Sequence, residues 1–435
     1  MFTLSKSCLA VRAALLASAG IATIGASSAS AGGIILYEVG TADVGLASAG
    51  YTARAQDAST VFTNPAGMTR LEGNQLTLSG QLLYGGFDFS SSSSTSAALG
   101  DNTGGKPIGW FPGGGMFYSY SVSPDLKLGF AGTGNFGLAE KYDDGWAGRY
   151  YVKEAALLGM SFLPSIAYKA TDKLSLGASL NAMYGILNQK VAVNNIVGPD
   201  GQLELDSRKW GWGVNLGLLY QPDARTRFGV TYNSQVKLDF SAPAQWSGIA
   251  PALSKVLAAR GLLDANIDMG MTVPQGVNAS FYTALDDRWA LLGSVGWQQW
   301  SKFGKVDIGV DSYDPKSLTS NLDYKDTWHG ALGAQYQTTG PWLINFGVAY
   351  DSAFQPSTIS PALPANAAWR FGFGAQKAES RTFGWGWSAE YAYGGNLDVE
   401  NRSKLPVALG GRGDLVGSFN STSILFLAAN LNWKF

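Results

Sequence analysis

Residues 227–240 read RFGVTYNSQVKLDF, and they decide the fold. Phe228, Val230, Tyr232, Ser234, Val236, Leu238 and Phe240 fall on one side of an extended chain. Arg227, Gly229, Thr231, Asn233, Gln235, Lys237 and Asp239 fall on the other. Strict alternation marks a strand with one greasy and one polar face. Strands of soluble sandwiches run about 5–6 residues, whereas a tilted strand that crosses a bilayer needs ~9–11 or more; this run has 14. Trp210–Gln221 repeats the pattern, with Trp210, Trp212, Val214, Leu216, Leu218 and Tyr220 set against Gly211, Gly213, Asn215 and Gly217. Thr382–Gly394 does so again, with Phe383, Trp385, Trp387, Ala389, Tyr391 and Tyr393 set against Gly384, Gly386, Ser388 and Glu390. Trp and Tyr sit at the ends of these runs, where the girdle of a membrane barrel lies. An open sheet edge cannot persist in hydrocarbon, so the strands must close on themselves.

Composition agrees. Charged residues are 14% of the chain, against about 25% in soluble domains. No stretch beyond the leader approaches the ~18 consecutive apolar residues of a spanning helix. The leader itself is residues 1–31. Lys6 and Arg12 precede an apolar, Ala-rich core at Ala13–Ile24, and Ala29-Ser30-Ala31 supplies a cleavage site, which makes Gly32 the expected mature terminus. The single cysteine, Cys8, lies in the leader. Disulfides, a thiolate nucleophile and a zinc–thiolate cluster are therefore not expected in the mature protein. Acids outnumber bases 32 to 31, so no basic stripe offers itself to nucleic acid. His329 is the only histidine, and neither a Gly-x-Ser-x-Gly elbow nor a metal-ligand cluster accompanies it. No enzyme, cofactor or metal is expected.

The pattern predicts an all-β, antiparallel transmembrane barrel of about fourteen strands: 74–89, 112–123, 127–139, 155–169, 174–192, 209–221, 226–240, 268–284, 289–309, 324–338, 342–354, 367–377, 382–399 and 422–435. Tight turns are expected at Ser123-Pro124-Asp125, Ala170-Thr171-Asp172, Pro222-Asp223-Ala224, Asp286-Asp287, Thr339-Gly340-Pro341 and near Glu379-Ser380. Longer connections alternate with them, as periplasmic turns alternate with outer loops. The last strand sets Leu425, Leu427, Ala429, Leu431, Trp433 and Phe435 against Asn430, Asn432 and Lys434. Its terminal aromatic resembles the signal read by the outer-membrane barrel assembly machinery.

Residues 32–73 do not alternate. They are rich in small residues (Gly40, Gly45, Ala47, Ser48, Ala49, Gly50) and lead to Asn64-Pro65-Ala66-Gly67-Met68. A compact plug inside the barrel is the expected place for them, leaving 74–435 as the barrel.

The spaced stretches resemble the FadL-type family of outer-membrane transporters. They are the segment with Asn64-Pro65-Ala66, the third strand from Leu128-Gly129-Phe130 to Asn135-Phe136-Gly137-Leu138-Ala139, residues 210–220 and 231–240, Tyr324-Lys325-Asp326 and the C-terminal strand. The resemblance implies uptake of long-chain fatty acids or, in relatives, of toluene-like aromatics. It also implies a hatch gated by Asn64, Pro65 and Ala66. A third strand kinked inward around Gly132, Gly134, Asn135, Phe136 and Gly137 would open a lateral gap beside that gate. Glycines weaken pairing and permit a bulge, and Pro65 fixes a turn. Transport would be passive, since no nucleotide-binding loop is present.

For capture, Ile249, Leu253, Val256, Leu257 and Leu263 make an apolar stripe at helical spacing in the long connection 241–266, a candidate groove at the outer mouth. Candidate head-group contacts are Lys190, Lys325 and His329, the last read as lumen-facing beside Lys325, Thr327 and Gln335. Lys316 is a further substitute. Ile186 and Ser320 stand where fatty-acid carriers of the family place an Arg and a Lys. That mismatch leaves monoaromatic hydrocarbons open as substrates, with a general porin or structural barrel as further alternatives. The expected partners are hydrophobic small molecules, the bilayer with its lipopolysaccharide, and the assembly machinery through Phe435. The chain is expected to act as a monomer.

Overall fold

One device closes the tight turns: a side-chain oxygen accepts the backbone N–H groups of the strand that follows. Asp223 Oδ1 takes those of Arg225 and Thr226, both at 2.8 Å. Asp286 Oδ1 takes those of Arg288 and Trp289. Ser123, Thr171 and Ser380 do the same with their hydroxyls. Such local bonds are why these residue types stand at turns.

The computed structural model describes residues 35–311, 316–317 and 320–435. The expected leader at 1–31 lies outside the described residues. The strands are β1 (Gln75–Ser91), β2 (Gly109–Ser121), β3 (Leu126–Lys141), β4 (Glu154–Lys169), β5 (Leu174–Val193), β6 (Gly201–Tyr220) and β7 (Thr226–Asn233). Next come β8 (Val236–Pro243), β9 (Gln245–Ser247), β10 (Asn266–Val273), β11 (Gly276–Ala284), β12 (Trp289–Gln298), β13 (Lys305–Asp311), β14 (Lys316–Ser317) and β15 (Ser320–Asn321). The last five are β16 (Thr327–Gln337), β17 (Trp342–Asp351), β18 (Ala368–Ala378), β19 (Phe383–Asn401) and β20 (Leu415–Lys434). The helices are α1 (Thr60–Thr63), α2 (Pro251–Ala259) and α3 (Trp300–Phe303).

Fourteen strands form one closed antiparallel ring, in the order β5-β4-β3-β2-β1-β20-β19-β18-β17-β16-β12-β11-β7-β6, with β6 paired back onto β5. First and last strands meet at the chain ends, where Phe435 N donates to Asn74 O at 2.9 Å. Two aromatic rows encircle the wall. The register pairs Tyr84 with Trp110, Tyr184 with Trp210, Trp297 with Trp328 and Tyr350 with Trp369 in one row. It pairs Trp289 with Tyr336 and Phe383 with Trp433 in the other. Trp328 and Tyr336 are separated by roughly 27 Å of extended strand, or about 20 Å once tilted by ~40°. That height suits the hydrocarbon band of an outer-membrane barrel.

The fourteen-strand expectation holds, but three runs are not continuous. The run expected at 226–240 divides into β7 and β8, 268–284 into β10 and β11, and 289–309 into β12, α3 and β13. Each break falls at the outer aromatic row. Below it the greasy face meets lipid: Phe228 and Val230 are 46% and 41% exposed. Above it the same face points inward: Val236, Leu238 and Phe240 are at most 2% exposed. Ser234 turns the chain by trading bonds with the Val214 backbone at 2.9 Å in both directions. Pro274 has no N–H to give to a ladder. Side chains stitch the breaks together. Tyr232 Oη donates to Gln275 Oε1, and Gln275 Nε2 to Gln299 Oε1, each at 2.8 Å. Beyond the breaks β8, β10 and β13 form a second sheet inside the mouth. Glycine makes that possible: a Cβ on Gly211 would lie 2.5 Å from Lys237 O, and one on Gly185 2.9 Å from Leu238.

Residues 35–71 lie within the ring. The turn Val44–Leu46 packs on β16–β19, and α1 with the following turn Pro65–Arg70 packs on β2–β6. Here too glycine gives way, since a Cβ at Gly347 would meet Leu46 O at 1.9 Å.

Candidate functional site

Polar bonds hold the luminal segment to the wall. Asn64 Nδ2 donates to Thr52 O at 2.7 Å and to Leu218 O at 3.0 Å, while Asn64 Oδ1 accepts from Ala66 N. Pro65 and Ala66 rest on Gly177 of β5 and Gly217 of β6, where a Cβ would be within 2.3 Å and 2.2 Å of the turn. Arg54 bonds Asp43, Asp57 and Ser59 within the segment. Burial alone would raise the Asp57 carboxyl; Arg54 and Ser59 outweigh it and hold it below its ordinary value. Higher up, Arg370 of β18 bridges Glu38 of the segment to Asp351 and Glu390 of the wall, all of them buried.

The third strand parts from its neighbour in its outer half. β2 and β3 pair from Ser121↔Lys127 to Gly115↔Thr133 and no further. Above that point, among the described residues, β2 keeps β1 and β3 keeps β4 as its strand partner, with a bulge at Asn135 between Gly134 and Phe136. The luminal segment takes the freed edge instead: Ile35 bridges Phe136, and Leu36 N donates to Asn135 O at 2.9 Å. Two glycines permit the parting. Gly137 has φ +141 and its Cβ would lie 2.3 Å from Leu157 O; Gly114 has φ +154 and its Cβ would lie 2.3 Å from Ser79 O. Gly132 has room for a side chain, so it is not needed for the kink. Asn64-Pro65-Ala66 does not sit at this seam as expected. It docks on β5 and β6, because those strands supply the glycine hollows, and Ile35 and Leu36 line the seam.

Two chambers stack above the segment. The outer one has a volume of about 340 Å³. Ile267, Met269 and Met271 of the inner sheet face Leu138, Leu157, Leu187 and Leu205 of the wall across it, with Phe303 and Tyr324 at one end. Pockets that take small-molecule ligands measure about 300–1,000 Å³. The inner chamber is about 70 Å³ and reaches the bulge of β3. Asn135, Asn181, Asn215, Asn233, Asn278 and Gln298 supply its polar wall. Asn181 and Asn215 are 8% and 6% exposed, and Oδ1 of each finds no partner among the described residues. Leaving a buried polar group unmatched costs about 1–3 kcal/mol.

The expected helix exists as α2, and Leu257 is buried while Val256 is 48% exposed. None of Ile249, Leu253, Val256, Leu257 and Leu263 lines the outer chamber. The inward turn of β8 and β10 brings Met269 and Met271 there instead. Lys190 is held by Glu154 and Glu204 at 3.2 Å and 3.6 Å. Lys325 precedes β16, which begins at Thr327, and is exposed. His329 does face inward, with Nδ1 on Asp351 Oδ1 at 2.8 Å and its ring 4.6 Å from that of Tyr37. Ile186 has outward parity, beside the inward Gly185 and Leu187. The side chains of Lys316 and Ser320 lie outside the described residues. The amide cluster was missed, although Asn181, Asn215, Asn233, Asn278 and Gln298 have inward parity on the successive wall strands β5, β6, β7, β11 and β12.

Comparison with known proteins adds relatives. A family model described as "Outer membrane protein transport protein (OMPP1/FadL/TodX)" matches residues 22–379. The chain is 27% identical over 387 residues to a long-chain fatty acid transport protein of Escherichia coli strain K12, covering 81% of this chain and 83% of that one. It is 30% identical over 374 residues to a 47 kDa outer membrane protein of Pasteurella multocida, covering 80% and 83%. Among solved structures it is similar to a Pseudomonas aeruginosa FadL homologue, with TM-score 0.77 at 19% identity over 93% of this chain and all (100%) of the other. It is also similar to the toluene transporter TodX of P. putida, with TM-score 0.64 at 16% identity over 90% and 99%. These two likenesses show the fold.

Proposed function

The chain belongs to the OMPP1/FadL/TodX family of outer membrane transport proteins, and from that premise we propose how it moves its cargo. It is a β-barrel of the Gram-negative outer membrane that transports hydrophobic compounds, and its family consists of transporters and channels rather than enzymes. In our reading the cargo enters the outer chamber, passes the luminal segment, which acts as a hatch, and leaves sideways at the β2/β3 seam. The observation that carries this reading is the apolar chamber of about 340 Å³ behind the inward-turned strands. Each buried methylene contributes about 0.8 kcal/mol, so such a chamber draws a long chain from dilute solution without an energy source. Lateral exit keeps the cargo out of the polar outer leaflet.

Long-chain fatty acids are the favoured cargo, because a greasy chamber above a polar one suits a molecule with a tail and a head. A second reading, monoaromatic hydrocarbons, is favoured by a separate observation: no cation lines either chamber among the described residues. Phe435, 57% exposed at the end of β20, is proposed as the contact for the assembly machinery, and the barrel is proposed to act alone. Uptake of labelled oleate and toluene by cells with and without the gene tests the reading. We expect faster uptake of at least one; equal rates for both would remove transport. Met271→Lys should cut that uptake by about tenfold or more by placing an unpaired charge in the chamber.

A further inference from the structure

We propose that the inner chamber binds the uncharged, hydrogen-bonding end of an elongated hydrophobic ligand, a hydroxyl or a protonated carboxyl. The inference deepens the function proposed above and rests on it. Asn181 and Asn215 are more than nine-tenths buried, line this chamber, and make no side-chain hydrogen bond to the protein among the described residues. An amide left so offers both a donor and an acceptor, and a hydroxyl both gives and takes. Buried polar groups are matched as a rule, so these amides are set for a partner that the protein itself does not supply.

The charge of that partner follows from the walls. No Asp, Glu, Lys, Arg or His lines the chamber among the described residues. A carboxylate taken there would lose its water without gaining a counter-charge. The buried cation beyond the Tyr37 side, Arg370, is already bonded to Glu38, Asp351 and Glu390. A neutral head suffers neither penalty. Size points the same way. At about 70 Å³ the inner chamber is much smaller than the outer one at about 340 Å³, which suits it to a head group rather than to the whole ligand.

The tail has its place directly above. Phe136 lines the inner chamber and Leu138 the outer, on one face of β3. Met183 and Leu187 divide the chambers in the same way on β5, and Val273 and Met271 on β10. A ligand lying along these faces puts its chain among the methionines and leucines and its head among the amides, next to the bulge at Asn135.

The test uses the full-length protein in lipid nanodiscs and equilibrium binding of radiolabelled 1-dodecanol, dodecanoic acid and dodecane. The wild type should bind dodecanol about tenfold or more tighter than dodecane, the value of one good buried hydrogen-bonding match. Dodecanoic acid should bind tighter at pH 5 than at pH 8. Asn181→Leu and Asn215→Leu should each shrink the alcohol preference while leaving dodecane binding intact or stronger. Equal wild-type binding of alcohol and hydrocarbon overturns the proposal, and needs no variant. So does tighter binding of the acid at pH 8, or an equal loss of both ligands in the leucine variants. Binding of none of the three by the wild type would instead remove the transport reading beneath it.

Discussion

Below the outer aromatic row, the greasy faces of β7 and β11 look at lipid; above it, the same faces of β8 and β10 turn inward, β8 onto the β5–β6 wall and β10 onto the outer chamber. Parity never changes along the sequence. Phe228, Val230, Val236, Leu238 and Phe240 are all even-numbered, yet the first two are exposed and the last three buried. Alternation thus says that a strand has two faces, but not which side each will meet. The wall decides that. Below, the luminal segment already fills the lumen, so these outward faces have only the bilayer to cover them. Above, Gly185, Gly211 and Gly213 leave hollows on the inner surface of β5 and β6, and an apolar strand that breaks from the wall seats itself there.

The largest expected effect strikes the level where the two halves meet. Arg370→Met removes the cation and leaves Glu38, Asp351 and Glu390 buried together. Breaking a buried ion pair by removing one partner costs about 3–5 kcal/mol. The unfolding midpoint in detergent, read by gel migration of heated samples, should fall accordingly. An unchanged midpoint would mean the hatch is not tied to the wall at that point.

Two leucines then address the comparison directly. Leu238, fully buried in the inner sheet, should cost about 2–5 kcal/mol when cut to Ala, as a core leucine does. Leu332, 59% exposed between the two aromatic rows on β16, should lose little as Ala, because lipid fills the space. As Leu332→Arg it should cost about 2–4 kcal/mol, the midplane penalty of a lipid-facing cation. Equal costs for Leu238→Ala and Leu332→Ala would erase the distinction between the halves.

The wall was legible in the sequence because period-2 greasiness, aromatic run ends and Asp- or Ser-headed turns all report on local geometry. The inward turn was not, since parity is preserved across it. Its only traces are Ser234-Gln235 and Pro274-Gln275, and Pro274 inside the run 268–284 was a signal passed over. The capture stripe was legible as helix α2, but helical spacing does not say what a helix packs on. Gly137 was singled out with good reason, since its φ of +141 excludes other residues. For that reason a bulky residue there would disturb the fold, and tests of lateral exit belong elsewhere on the seam. Its counterpart Gly114 on β2 was missed, because a positive φ inside a strand leaves no mark beyond the glycine itself.

The smallest effect concerns the luminal segment, whose stability should depend on pH while that of the inner sheet should not. Asp57 accepts from Arg54 at 2.8 Å and from Ser59 N at 2.9 Å. Burial pushes its carboxyl up, but these partners win and hold it below the ordinary value. A depressed acid contributes stability above its unfolded pKa, and that stability is lost as pH falls through the folded one. The hatch should therefore hold between neutral pH and the ordinary carboxylate range and loosen only in stronger acid. Asp57→Asn should cost about 1 kcal/mol at neutral pH and flatten this acid limb. Leu238→Ala should lower stability by the same amount at every pH, since apolar burial binds no proton. Hydrogen exchange of the 43–59 backbone at pH 3 and 7 separates the two. Protection that falls equally in both variants would show that hatch and inner sheet melt as one unit, and the division between halves would then be geometric without being energetic.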